Sequence, residues 1–182
     1  MAIKVRAVVG SIQENSMNLK LVKFMQKRYA DKLDIETVLL HDIPMFNPDL
    51  EEKPPKGAQD FKDKVREAEA VLFAVPEYNY SMPGVLKNAI DWLSRGGLEL
   101  REKPAFIVGS SIGVLGSVRA QLHLREVLSN PALSPILLPG NEVYIGAIQD
   151  KINEENEIVD PGTLGFLDNV VENFIEFYNK TV

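Results

Sequence analysis

The sequence predicts an α/β fold, a five-stranded parallel sheet doubly wound with helices on both faces. Apolar runs at residues 3–9, 35–40, 70–75 and 104–109 largely lack the polar alternation of half-exposed strands. Helical periodicity separates each run from the next, as crossovers between parallel strands require. With a shorter run at 142–145 the strands number five, which suits the flavodoxin-like order 2-1-3-4-5. Such sheets bind ligands beyond the carboxyl ends of their strands, near the point where strand order reverses. The loops expected there, 10–16, 76–83 and 110–116, hold the three most unusual stretches of the chain.

Residues 3–9 read as a buried strand and 17–31 as an amphipathic helix, with Leu19, Val22, Met25 and Tyr29 among its apolar positions. A second strand covers 35–40, and 41–56 is a proline-rich loop. A polar helix at 59–68 leads into the strand 70–75. The helix 85–94 is ended by Gly96 and Gly97. A strand at 104–109, a helix at 117–128 and a short strand at 142–145 follow. Residues 149–162, rich in Asn, Asp and Glu, read as an exposed loop or hairpin. An amphipathic helix at 164–179 closes the chain. With 182 residues and no repeat or linker, residues 1–182 are expected to form one domain.

Composition narrows the function. Twenty basic residues against 26 acidic give a formal charge of −6, which argues against nucleic acid or an anionic membrane as main partner. The chain has no cysteine, so disulfides, thiolate nucleophiles, zinc–thiolate sites and iron–sulfur clusters are excluded. No apolar run approaches a membrane-spanning length, and residues 1–6 lack a signal-peptide plan. A cytoplasmic protein is expected. His41 and His123 are the only histidines, too few for most histidine-based metal sites. His41 reads as a loop residue, and His123 as a packing or interface residue of its helix.

The stretch Pro76-Glu77-Tyr78-Asn79-Tyr80-Ser81-Met82-Pro83-Gly84 follows a buried strand and precedes a helix. Its prolines and glycine constrain the backbone, while Tyr78, Asn79 and Tyr80 offer flat faces and an amide. Such a loop suits a planar heterocycle that is both stacked and hydrogen-bonded; equally, it can be an aromatic turn that only caps a strand. The loop after the first strand reads Gly10-Ser11-Ile12-Gln13-Glu14-Asn15-Ser16-Met17-Asn18. Gly10 permits a tight exit, and Ser11, Ser16 and Asn18 bring small polar groups to a helix N-terminus. Free N–H groups and a partial positive charge make that a phosphate cradle, beside the plainer reading of N-capping by Ser16 or Asn15. A P-loop needs Lys followed by Ser or Thr, and a dinucleotide fingerprint needs three spaced glycines; this loop has neither. A mononucleotide phosphate fits it better.

The chain resembles the NADPH-dependent FMN reductase family, in particular its chromate and quinone reductase branch. The family's phosphate loop, Gly-Ser-x-Arg-x-x-Ser-x-Asn, is matched by Gly10, Ser11, Ser16 and Asn18, with Gln13 at the arginine. Its flavin loop, Pro-Glu-Tyr-Asn-x-Ser-x-Pro-Gly, is matched in full from Pro76 to Gly84. Ser110, Ser111, Gly113, Val114 and Gly116, then Arg119, Gln121, His123, Leu124 and Arg125, and the late Asp160, Gly162, Thr163 and Leu164, also resemble the family.

The resemblance implies a flavodoxin-like domain with bound FMN. Hydride would pass from NADPH or NADH to flavin N5, in ping-pong order with two-electron reduction of a quinone; azo compounds, chromate and free flavin are further acceptors. By position, Ser11, Gln13, Ser16, Met17 and Asn18 hold the phosphate. Pro76, Glu77, Tyr78 and Asn79, with Tyr80 and Ser81 in the same loop, line the isoalloxazine ring. Ser110, Ser111 and Gly113 take its other side, and backbone N–H groups of 110–116 stabilise charge near N1 and the C2 carbonyl. No side chain need act as acid or base. A homodimer or homotetramer is implied, with neighbouring subunits bordering the flavin.

Gln13 sets an expectation of its own. It gives a neutral amide where arginine would give a permanent charge and a planar fork of donors, so FMN is expected to bind more weakly than is usual for the family. The rival readings are an electron carrier of the flavodoxin type, without its own NAD(P)H oxidation, and a chain that has kept the fold but lost the cofactor.

Overall fold

A computed structural model describes all of residues 1–182. Strand β1 (Ile3–Val9) is followed by α1 (Met17–Arg28), β2 (Leu33–Val38), α2 (Lys56–Arg66), β3 (Ala70–Ala74) and α3 (Gly84–Leu93). Then come β4 (Pro104–Ser110), α4 (Val118–Leu128), β5 (Ile136–Leu137), β6 (Val143–Ile145) and α5 (Pro161–Thr181). All strands pair in parallel in the order β2-β1-β3-β4-β5, with β6 also on β4. This is the flavodoxin-like doubly wound sheet that the apolar runs predict.

Strands β3 and β4 are buried throughout, and β1 all but at Lys4, because each feeds two cores. In β3, Ala70, Leu72 and Ala74 join a core with Leu21, Val22 and Met25 of α1 and Leu167, Val170 and Phe174 of α5. Val71 and Phe73 point the other way, into a core with Phe61 and Val65 of α2, Leu86 and Ile90 of α3, and Leu124 of α4. The period of two along a strand thus separates one apolar run into two helical layers. On the first face α5 is also held to α1 by polar contacts. Arg28 donates twice to Asp168, both at 2.7 Å, and the Tyr29 hydroxyl donates to the same carboxylate at 2.9 Å. The Arg28 guanidinium holds the Asp168 carboxyl below its ordinary range.

Strand β2 runs over Leu33–Val38, two residues earlier than the expected 35–40, and α1 ends at Arg28 rather than at 31. Four further elements differ from the sequence expectation. The fifth strand is split: β5 pairs Pro104 and Ala105, and β6 pairs Val108, Gly109 and Ser110. While β4 advances from Ala105 to Val108, its partner advances from Leu137 to Val143, so the chain bulges out of the sheet between them. Pro139 has no N–H to give to a ladder, and Gly140 has φ +62, which explains the break. The proline-rich loop contains a turn of 3-10 helix at Pro48–Leu50. Helix α2 starts at Lys56, after Pro55 at its N-cap, and Gly57 in its first turn packs bare backbone against Asp42; a Cβ there would lie 1.9 Å from the Asp42 carbonyl oxygen. Helix α5 starts at Pro161, where Asp160 caps it by accepting the Thr163 N–H at 2.7 Å. Pro161 at the first position is pre-set for a helix, so the Asp-Pro-Gly signal marks a start there rather than a turn.

The candidate flavin site

The carboxyl ends of β1, β3 and β4 bring the three unusual loops together. β1 lies between β2 and β3, so the chain reverses its winding there, and the first and second loops flank the reversal. Gly10 is required at the exit from β1: its N–H donates to the Ala74 carbonyl at 2.8 Å, and a Cβ would lie 2.9 Å from Leu86 and 3.2 Å from Pro76.

A cleft of ≈ 320 Å³ opens between the loops. Its walls include Ser11, Gln13, Ser16, Met17 and Asn18 of the first loop, Pro76, Glu77 and Tyr78 of the second, and Ser110 and Ser111 of the third. A more open hollow of ≈ 510 Å³, lined by Glu77, Asn79, Tyr80 and Ser111, shares two of those residues and continues it. Twelve of the fourteen residues singled out from the sequence therefore line one continuous depression. Ser81 and Gly113 do not. Ser81 Oγ lies 2.7 Å from His123 Nδ1. The Gly113 N–H donates to Ser111 Oγ at 3.0 Å, and its carbonyl accepts from Ala147 at 3.2 Å. The cleft also takes in Asn15 and Ile112, which sequence reasoning left out although both sit inside the loops it marked.

The first loop is shaped by its own hydroxyls. Ser11 Oγ accepts the Gln13 N–H at 3.1 Å, which leaves its own proton to be given to a ligand. Ser16 is the N-cap of α1 and accepts the Leu19 N–H at 3.3 Å. The N–H groups of Met17 and Asn18, in the first turn, have no helical acceptor. N-capping and phosphate cradling are thus compatible on one loop.

Two residues expected to touch a ligand have their side chains engaged elsewhere. The Asn18 carboxamide is buried and makes two bonds to one residue: Nδ2 donates to the Ser110 carbonyl at 3.0 Å, and Oδ1 accepts the Ser110 N–H at 2.9 Å. It locks the start of α1 to the end of β4. The Glu77 carboxylate accepts the N–H groups of Arg119 at 2.9 Å and Ala120 at 3.3 Å. Helix α4 has no capping side chain of its own, since Ser117 takes a left-handed conformation, so Glu77 caps it from the flavin loop. The Arg119 guanidinium lies 3.6 Å from Glu77 and stacks over the Tyr80 ring at 4.3 Å.

Tyr78 and Ser81 exchange backbone bonds at 2.9 and 3.0 Å around Asn79 and Tyr80, whose φ values are 51° and 67°. This is a two-residue turn of the I′ kind. Asparagine tolerates the left-handed region, whereas tyrosine occupies it at some cost. The turn leaves Tyr78 half exposed and Tyr80 mostly exposed at the mouth of the cleft.

The third loop rests on β6. The Ser111 N–H donates to the Ile145 carbonyl at 2.9 Å. Gly116 (φ +59) lies against Tyr144, where a Cβ would come within 2.5 Å of the carbonyl carbon. The N–H groups of Ser110, Ser111 and Gly113 are engaged inside the protein, which leaves that of Ile112, in the cleft wall, as a donor. Ser110 Oγ is buried at the cleft with no partner. Buried hydroxyls without partners are uncommon. This orphan, the Ser11 hydroxyl, the open turn of α1 and the flat Tyr78 side chain form a donor set that fits a phosphate joined to a planar polar ring.

Comparison with known proteins agrees. Residues 3–150 match the model of a family described as NADPH-dependent FMN reductase. The chain is 38% identical to the NADH-dependent flavin reductase subunit 2 of Lactobacillus johnsonii over 98% of both chains. It is 34% identical to the quinone reductase of Escherichia coli K12, covering 98% of this chain and 96% of that one. Among solved structures, FerB, a flavoenzyme NAD(P)H:(acceptor) oxidoreductase of Paracoccus denitrificans, superposes with a TM-score of 0.87 at 34% identity, over 99% of both chains.

Proposed function

The chain belongs to the NADPH-dependent FMN reductase family, and we propose that residues 1–182 work as one FMN-binding domain whose site is the cleft at the ends of β1, β3 and β4. The protein is an NAD(P)H-dependent oxidoreductase that uses FMN and reduces quinones. The observation that carries the site is the convergence of three loops, far apart in sequence, on one depression with unengaged donors at its floor.

FMN supplies the two-electron chemistry when bound. The chain's part is to bind and orient it. Ser11, Gln13, Ser16, Met17 and the first turn of α1 would hold the phosphate. Asn18 acts one step removed, by fixing Ser110. Pro76, Tyr78, Asn79 and Tyr80 would line one side of the ring, with Glu77 holding α4 beneath them. Ser110, Ser111 and the Ile112 N–H would meet the other side. The open hollow beside Tyr80 leaves room for nicotinamide and then for the acceptor, which supports an alternating, ping-pong order. Azo compounds, chromate and free flavin are candidate further acceptors. No helix is long and apolar enough to cross a membrane. A cytoplasmic location is our reading, as is a homodimer or homotetramer, the latter supported by the exposed apolar side chains of Ile112, Val114 and Leu115 in the third loop and Leu122 on α4, which a neighbouring subunit could cover.

The test is a visible spectrum of FMN-loaded protein under anaerobic conditions. Flavin absorbance is expected to bleach on adding NADH or NADPH and to return on adding a quinone. Flavin that stays oxidised with both nucleotides would make the chain an electron carrier instead.

The second expectation concerns Gln13, which lies exposed in the cleft wall. Gln13→Arg should tighten FMN binding about 5-fold, because a charge-assisted bond is roughly twice as strong as a neutral one. The gain should shrink with added salt. An unchanged dissociation constant at low salt would show that residue 13 does not meet the phosphate.

A further inference from the structure

We propose that His41 is a positioning residue of the phosphate loop, holding through the Ile12 peptide a conformation that this chain, with Gln13, cannot secure by charge. The inference rests on the reading of the cleft as the FMN site. His41 Nε2 lies 3.0 Å from the Ile12 carbonyl oxygen. A carbonyl only accepts, so Nε2 carries the proton and donates. Imidazole can do this in its neutral form with Nδ1 bare, and equally as imidazolium.

The Ile12 peptide is thereby held from both sides. Its oxygen accepts from His41, and its N–H, which belongs to Gln13, donates to Ser11 Oγ. With its lone pair engaged by that N–H, Ser11 keeps its own proton for the cleft. The Gln13 carbonyl then accepts the Ser16 N–H at 3.1 Å, which closes the loop onto the cap of α1. Release of the Ile12 carbonyl would let this peptide rotate, and the Ser11 hydroxyl would lose its fixed direction.

His41 can act as a fixed post because the segment that carries it is tied down on both sides. Leu40 is buried, and Asp42 packs against the backbone of Gly57. The Pro44 carbonyl accepts from Asn88 Nδ2 at 3.0 Å and from Trp92 Nε1 at 2.8 Å. The Phe46 N–H donates to Asn88 Oδ1 at 2.7 Å, and the Phe46 ring meets Trp92 edge-on at 5.1 Å. Asn88 and Trp92 belong to α3, which begins where the flavin loop ends. The strap therefore runs from the helix behind the ring-binding loop to the outside of the phosphate loop. Its only polar side-chain contact with the latter is His41 to Ile12.

The experiment is a titration of flavin-free protein with FMN and with riboflavin, which has the same ring and ribityl chain but no phosphate, followed by flavin fluorescence. His41→Ala is expected to weaken FMN binding about 3- to 10-fold, the effect of one hydrogen bond. Riboflavin affinity should stay within about 2-fold, since the loop meets only the phosphate. His41→Gln, whose amide places a donor near the position of Nε2, should restore FMN binding. Equal weakening of both flavins, no weakening of either, or a Gln variant as weak as the Ala variant would each overturn the assignment. If the wild-type chain binds neither flavin, the FMN reading of the cleft itself fails, and the two failures are told apart.

Discussion

Asn18→Ala should be the most damaging single change at the site. The Ser110 N–H and C=O would both stay buried without partners, and each such group costs about 1–3 kcal/mol. The expected loss is therefore about 2–6 kcal/mol, which for a chain of this length lowers the melting temperature by roughly 10 °C. FMN affinity should fall with it, because Ser110 and α1 lose their common anchor. Thermal unfolding with and without FMN tests this. A melt within about 2 °C of wild type would mean that water replaces the carboxamide at no cost, contrary to the burial of both groups. Asn18→Asp should fall between, because it keeps the acceptor for the Ser110 N–H and loses the donor to the carbonyl.

Gly116→Ala should cost about as much by another route. A side chain in the left-handed region costs roughly 1–2 kcal/mol, and forcing a methyl group into packed backbone adds about 1–3. The neighbours are Tyr144 and Ile145 main-chain atoms at 2.5 to 2.8 Å, which cannot turn aside as a flexible side chain could. The loop that carries Ser110 and Ser111 must then lift off β6. A lower urea midpoint and weaker FMN binding are expected together. Retained FMN affinity in a destabilised variant would show that the third loop is not part of the site.

The contrast between these residues explains what the sequence made legible. β3 is apolar from end to end, and β1 and β4 are so apart from Lys4, Arg6 and the terminal Gly109 and Ser110, because both faces are covered, and a covered strand leaves a mostly apolar run. The split of the last strand was not legible: β5 has only two residues, and pairing, not hydrophobicity, defines it. The start of α5 is hidden in the sequence because Asp-Pro-Gly serves equally as turn and as capped helix start. At the site, the residue types that suit a flavin were visible, but the direction of each side chain was not. Asn18 faces Ser110, 92 positions away, Glu77 faces Arg119, 42 away, and His41 faces Ile12, 29 away. No local pattern encodes such pairings; only the assembled sheet creates them.

The bulge between β5 and β6 bears on how the protein could be modified. The two segments pair with opposite ends of β4, and only β6 supports the third loop of the cleft, through Tyr144 and Ile145. Chain added near Gly140 would enlarge an excursion that is already outside the ladder, and lengthening such a loop costs little closure entropy. It would shift neither half out of register. The molecule thus carries a natural splice point at the rim of its sheet, where a tag or a small domain can be grafted while the cleft keeps its frame.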